Sequence, residues 1–199
     1  GSTGNLTNLV VNFYVGLSTG ASVVIAQYYG AHNKGKIHQA VHTSYMLAIV
    51  SGIIMMLFGL FFSYQCLDAI GVPHDILNDA SLYMKLYFLG MIPGAIYNIG
   101  SGILRAVGDS KRPLYYLIIC SIVNVVFDFV FVVILHKGIA GAAIATFIAQ
   151  TVCAILVTLQ LIFSKDVYQL TLSKIKFHLP VLKKIVKIGA PAGIQSTIV

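Results

Sequence analysis

Pro113-Leu-Tyr-Tyr-Leu-Ile-Ile-Cys-Ser-Ile-Val-Asn124-Val-Val-Phe-Asp128-Phe-Val-Phe-Val-Val-Ile-Leu135 carries a single formal charge, that of Asp128, four residues after Asn124. A carboxylate at that depth in an apolar segment is costly and marks function more often than structure. In a helix, the spacing puts Asn124 and Asp128 one turn apart on one face, turned toward a partner or a water-filled cavity rather than lipid. This pair is the first candidate for ion coupling.

The rest of the chain has the same character. Hydrophobic residues make up 58% and charged residues 10% of its 199 residues, and the mean hydropathy of +0.88 lies far from that of a soluble domain. No formal charge occurs from Gly1 to Asn33, Ile37 to Leu67, Leu86 to Leu104 or Gly138 to Ser164. Each gap accommodates the roughly 20 residues of a bilayer-spanning helix. With the Asp128 segment they predict spans at Asn5–Tyr29, Gln39–Ser63, Ser81–Ala106, Pro113–Leu135 and Ile139–Phe163. The expected fold is all-α and integral to the membrane, a polytopic transmembrane helix bundle. A further hydrophobic stretch starts near Ile185 and is cut at Val199, and the chain opens without methionine or a charged leader, so it reads as an internal piece of a larger protein.

The net charge of +7 does not describe a nucleic-acid surface. Lys34 and Lys36 follow the first span, Arg105, Lys111 and Arg112 the third, and Lys165, Lys174, Lys176, Lys183, Lys184 and Lys187 the fifth, so eleven of the 13 basic residues share one side. That side is cytoplasmic by the positive-inside rule, and the first span runs inward from outside. The opposite loops hold Lys137 with Asp68, Asp75 and Asp79. Cys66, Cys120 and Cys153 are scattered and predict no disulfide framework or metal knuckle. His38 and His42 have ligand spacing, but polar residues at a membrane interface are the plainer reading. No nucleophile elbow, phosphate loop or HExxH pattern occurs, so the chain is not read as an enzyme, and no cofactor is expected.

Small residues at four-residue spacing, Gly16 and Gly20, Gly90 and Gly94, and Gly138, Ala142 and Thr146, predict close helix packing. Pro93 sits mid-span, as a static kink or a hinge. Asp128 lies 8 residues before His136, roughly 12 Å below the outer end of its span. Thr146, entering from the same side, reaches similar depth, and Tyr83 and Tyr87 lie in the first turns of the third span as candidate cavity-lining residues. For each there is a plainer role: Asp128 as partner of Lys85, Asn124 as interhelical glue, Thr146 bonded to its own helix carbonyl.

The runs Gly16-Leu-Ser-Thr-Gly-Ala-Ser-Val-Val-Ile-Ala-Gln-Tyr-Tyr-Gly-Ala31, Ser101-Gly-Ile-Leu-Arg-Ala-Val-Gly-Asp-Ser-Lys-Arg-Pro113 and Gly138-Ile-Ala-Gly-Ala-Ala-Ile-Ala-Thr146 resemble, in order and spacing, the multidrug and toxic compound extrusion (MATE) transporters. The resemblance implies twelve helices in two six-helix lobes, exporting organic cations and other amphiphiles against inward Na⁺ or H⁺. It makes 1–163 helices two to six of the amino-terminal lobe, 164–184 a basic cytoplasmic inter-lobe loop, and 185–199 the start of helix seven. It maps the family's amino-lobe cation site onto Asn124, Asp128 and Thr146. The family's helix one, with another essential aspartate, and its carboxy-terminal lobe are missing partners here.

The chemistry is coherent without the family. A protonated, neutral carboxyl tolerates an apolar cavity, whereas a cation held by further oxygens from Asn124 and Thr146 stabilises the ionised form. Occupancy then biases two helix packings, which is alternating access. The oxygen-only set favours Na⁺ over H⁺. The expected protein is a multi-pass antiporter of a prokaryotic plasma membrane, with the lipid bilayer and small amphiphilic or cationic substrates as its partners. The alternatives are a lipid-linked precursor flippase of the same architecture, which would want a cationic cavity, and, from another class, a membrane receptor or enzyme. Topology is directly testable: cysteines placed at Lys36, Lys111 and Lys174 of the full-length protein should react only with cytoplasmic reagent, and one at Asp75 only with external reagent. Labelling of the Asp75 position from the cytoplasm would invert the assignment.

Overall fold

The computed structural model describes the backbone of residues 2–198 and the side chains of Asn8, Leu9 and residues 11–198. Among these residues all regular structure is helical: α1 (Ser2–Gly30), α2 (Lys34–Ala69), α3 (His74–Leu89), α4 (Met91–Ala106), α5 (Lys111–Asp128), α6 (Gly138–Phe163) and α7 (Leu179–Ile198). Alpha-helix gives way to π-helix at Phe129–Ile134, and Leu172–Lys174 form a 3₁₀ turn. Three described helical stretches are long and apolar enough to cross a membrane, Lys34–Ala69, Lys111–Ile134 and Gly138–Phe163, and the pair α3–α4 makes a fourth, broken span.

Short connections set the antiparallel order. Asn33 caps α2, its side chain accepting the Lys36 N–H at 3.2 Å. Gly71 (φ 82°) and Gly108 (φ 91°) adopt the left-handed conformation needed to leave α2 and α4 sharply.

The predicted third span is not one helix. It starts earlier, at His74, and bends by 42° between α3 and α4. Pro93, third residue of α4, has no N–H for the Leu89 carbonyl, and its ring excludes that oxygen. The break falls three residues upstream at Gly90 (φ −77°, ψ 0°), whose N–H turns back to the Tyr87 carbonyl at 3.0 Å.

The core draws on α1, α2, α3, α4, α6 and α7, where Ile25, Tyr45, Phe88, Ile103, Leu161 and Ile185 are each at most 2% exposed, and on the segment between α6 and α7. Alpha5 is the contrary case. Leu114, Ile118, Ile122, Val125 and Phe129 point outward, an apolar face suited to lipid. Its other face lies along α6.

The predicted small-residue stripes divide by role. Gly16 and Gly20 of α1 face α7: a Cβ on Gly16 would lie 2.5 Å from the Gly193 Cα, and one on Gly20 2.5 Å from the Ile185 carbonyl oxygen and 2.8 Å from the Gly189 Cα. Gly138 packs against nothing within 4 Å; with φ 58° it serves the turn, and the close approach in α6 belongs to Gly141. Gly20→Val in the full-length protein should therefore wedge α1 from α7 and destabilise it by about 1–3 kcal/mol, read as a lowered unfolding midpoint in detergent. Gly30→Ala, where a Cβ meets nothing within 4 Å, should leave the midpoint unmoved.

Candidate functional site

The arm formed by α5 and the π segment runs antiparallel to α6 around the turn at 136–138, so the two face each other along a seam. Asn124 and Thr146 meet across the seam, the Asn124 amide donating to Thr146 Oγ1 at 3.3 Å while that hydroxyl donates to the Ala142 carbonyl at 3.1 Å. Asn124 thus bonds across the helices and Thr146 to its own helix carbonyl, the plainer role of each. The amide nitrogen being engaged, Asn124 keeps its carbonyl oxygen as a free acceptor, and Thr146 Oγ1 keeps one lone pair.

Asp128 lies one turn beyond Asn124, the last α-helical residue before the π segment. Its Oδ1 is buried and has no hydrogen-bond partner. The expected alternative partner, Lys85, is not bonded to it; the sole ion pair among the described residues is Arg112–Asp109 at 3.2 Å. A buried carboxylate oxygen without a donor is costly unless a proton or a cation satisfies it.

Two cavities open beside this seam. One, of about 370 Å³, is lined by Asn98, Ser121, Asn124, Thr146 and Gln150, with Cys120 and Cys153 in its wall. The other, about 50 Å³, lies between Tyr83, Tyr87, Gly90, Thr146 and Gln150. The structure thus brings four of the six predicted residues, Asn124, Thr146, Tyr83 and Tyr87, around adjoining spaces. Asp128, one turn beyond Asn124, lines neither. Pro93 lies apart, on an apolar groove of about 550 Å³ with Met56, Ile96 and Phe147. Among the described residues no group of three or more His, Cys, Asp or Glu side chains gathers.

Two features go beyond the sequence reading. Gln150, one turn after Thr146, lies in both cavities, and its amide oxygen occupies the place a Cβ on Gly90 would need; the four-residue spacing that singled out Asn124 and Asp128 would have found it. Cys120 and Cys153 form a disulfide with Cα atoms 5.8 Å apart, which corrects the expectation of none. Their separation of 33 residues is no motif, but it places them opposite each other across the hairpin.

This helical bundle, with its polar seam inside apolar spans, is that of a multi-pass membrane protein. The chain belongs to the MatE family, whose model matches residues 1–130. It is 28% identical over 200 residues to the probable multidrug resistance protein YoeA of Bacillus subtilis, covering 96% of this chain and 43% of that protein. It superposes with TM-score 0.89 and 25% identity on an inward-facing multidrug resistance MATE family transporter of the MOP superfamily, covering 97% of this chain and 44% of that one. Against an outward-facing conformation of such a transporter the TM-score is 0.88 at 26% identity, over 96% and 43%. The chain thus spans about two fifths of the length of the relatives it matches.

Proposed function

We propose that the protein containing this chain is a secondary antiporter of a prokaryotic plasma membrane that exports drugs or organic cations in exchange for Na⁺, and that the cation binds at Asp128, Asn124 and Thr146. The observation that carries this reading is the unpartnered, buried Oδ1 of Asp128 beside the Asn124–Thr146 bridge. Three oxygens on two facing helices suit a hard monovalent cation, and a cation there would neutralise a charge the seam otherwise leaves uncompensated. A proton on Asp128 would do the same without drawing on Asn124 and Thr146, which is why Na⁺ is preferred.

Substrate would occupy the adjoining cavities, with Tyr83 and Tyr87 offering ring faces to an organic cation. The near-equal fit to inward- and outward-facing structures supports a lobe that moves largely as one body in alternating access. Within the lobe the bend at Gly90, shaped by Pro93, is the place to flex.

In the full-length protein, Na⁺ should raise the unfolding midpoint beyond a K⁺ control at a pH where carboxylates are ionised, each tenfold rise well above the dissociation constant adding about 1.4 kcal/mol. Asp128→Asn should abolish both that stabilisation and coupled export while still inserting, and Asn124→Ala and Thr146→Ala should weaken Na⁺ affinity less, each removing a neutral ligand. A midpoint indifferent to Na⁺ would give the site to protons, and undiminished export by Asp128→Asn would leave the residue structural.

A further inference from the structure

The segment joining α6 to α7 is basic and irregular, yet it is docked. Tyr168 and Leu170 are buried in the main core, and Leu170 donates its N–H to the Leu161 carbonyl at 3.0 Å. Two adjacent, fully buried side chains of α2 hold its backbone. His42 places Nδ1 2.7 Å from the His38 carbonyl and accepts the Thr171 N–H on Nε2 at 3.0 Å. Thr43 accepts the His178 N–H on Oγ1 at 3.1 Å. Since Nε2 accepts, the ring proton is on Nδ1 and donates to His38; both nitrogens are in use only in the neutral ring.

We propose that His42 is a pH-operated latch, whose neutral ring clamps the α6–α7 connector to α2 and whose protonation at Nε2 releases it. A proton on Nε2 would face the Thr171 N–H donor against donor. The neighbours offer no relief. From α2 come Lys36 and His38, the latter stacked on His42 with ring centroids 4.1 Å apart; from the connector come Lys174, Lys176 and His178. The α7 cation Lys184 sits over the Tyr28 ring at 4.7 Å, and the connector's carboxylate, Asp166, accepts the Val167 N–H at 2.7 Å.

Burial first, and these cationic neighbours after it, hold His38 and His178 below the ordinary histidine value of 6.5. His178 Nε2 is moreover buried without a partner. In an undocked connector both rings would regain the ordinary value and bind more protons. Docking is therefore fully favoured above 6.5 and loses ground as the pH falls below it, so acid opens the latch. On the proposed two-lobe architecture, the connector links the lobes, and its release would loosen one against the other.

The test is hydrogen–deuterium exchange of the full-length protein, followed on peptides spanning 166–176 and corrected for the intrinsic pH dependence of exchange. Between about pH 8 and about pH 5, connector protection should fall by about tenfold or more in the wild type, as linkage to a proton requires. His42→Gln, whose amide oxygen accepts from Thr171 without titrating, should stay protected at pH 8 and show at pH 5 only the smaller loss carried by His38 and His178. Wild-type protection unchanged by acid would overturn the latch without recourse to any variant. So would an undiminished pH response in His42→Gln, or loss of connector protection in that variant at both pH values. The measurement reads the connector alone, so it can fail while ion-coupled export stands, and the reverse.

Discussion

In hydrocarbon, a peptide group that leaves its helical partner must find another or be covered by protein, because each unsatisfied group costs several kcal/mol. This chain departs from regular α-helix within its spans at Gly90 and at Phe129–Ile134, and α6 covers both. Gln150 lays its amide against Gly90, and Gly141 comes so close to the π segment that a Cβ there would lie 3.0 Å from the Phe131 Cβ and 3.1 Å from its carbonyl carbon. Thr146 lies between these two contacts along α6. The helix that packs against the irregular backbone is thus the one that carries Thr146, and the polar seam and the two breaks form one structural unit.

How much of this the sequence discloses depends on whether the signal is local. Charge-free gaps mark where the chain stays in an apolar phase, and helices are found there at each predicted stretch, though the third is broken and the fourth passes into π-helix and ends at Ile134. Counting depth from the shared turn put Thr146 level with Asp128, whereas it meets Asn124 one turn deeper, because the π segment beyond Asp128 packs more residues into each turn than the count assumes. The same arithmetic applied to Cys120 and Cys153 would have paired them; scanning for motifs could not, because no motif spans a hairpin. Gly90 was hidden for another reason. Pro93 announces a break but not its position, which was decided by the room that Gly90 gives to Gln150, a tertiary fact.

The π segment had no sequence signal. Phe129-Val-Phe-Val-Val-Ile134 would satisfy any helix or buried strand, and the widened turn is visible only in its bonding, with the Leu135 N–H reaching the Val130 carbonyl at 2.9 Å. Such insertions occur mostly at functional sites, where they re-aim side chains. The docking of the connector had no sequence signal either. Its lysines are read only as a sign of topology, yet Tyr168 and Leu170 are buried and polar groups of α2 hold Thr171 and His178. Two apolar residues in a run of charges are too few to make a period, so docking of this kind is legible only once α2 supplies the acceptors.

These placements bear on how occupancy could be felt at a distance under the proposed ion coupling. A cation drawn to Asp128 with Asn124 and Thr146 would tighten α5 against α6. Alpha6 cannot shift there without moving Gln150, one turn away, and Gln150 cannot move without altering the space beside Gly90 at the bend of the α3–α4 span. At the bend the Leu89 carbonyl already lacks a donor from Pro93, so flexing there disturbs fewer helical hydrogen bonds than bending an intact span would. The least costly route from site to helix motion therefore runs along α6, through one amide side chain, to the weakest point of the neighbouring span.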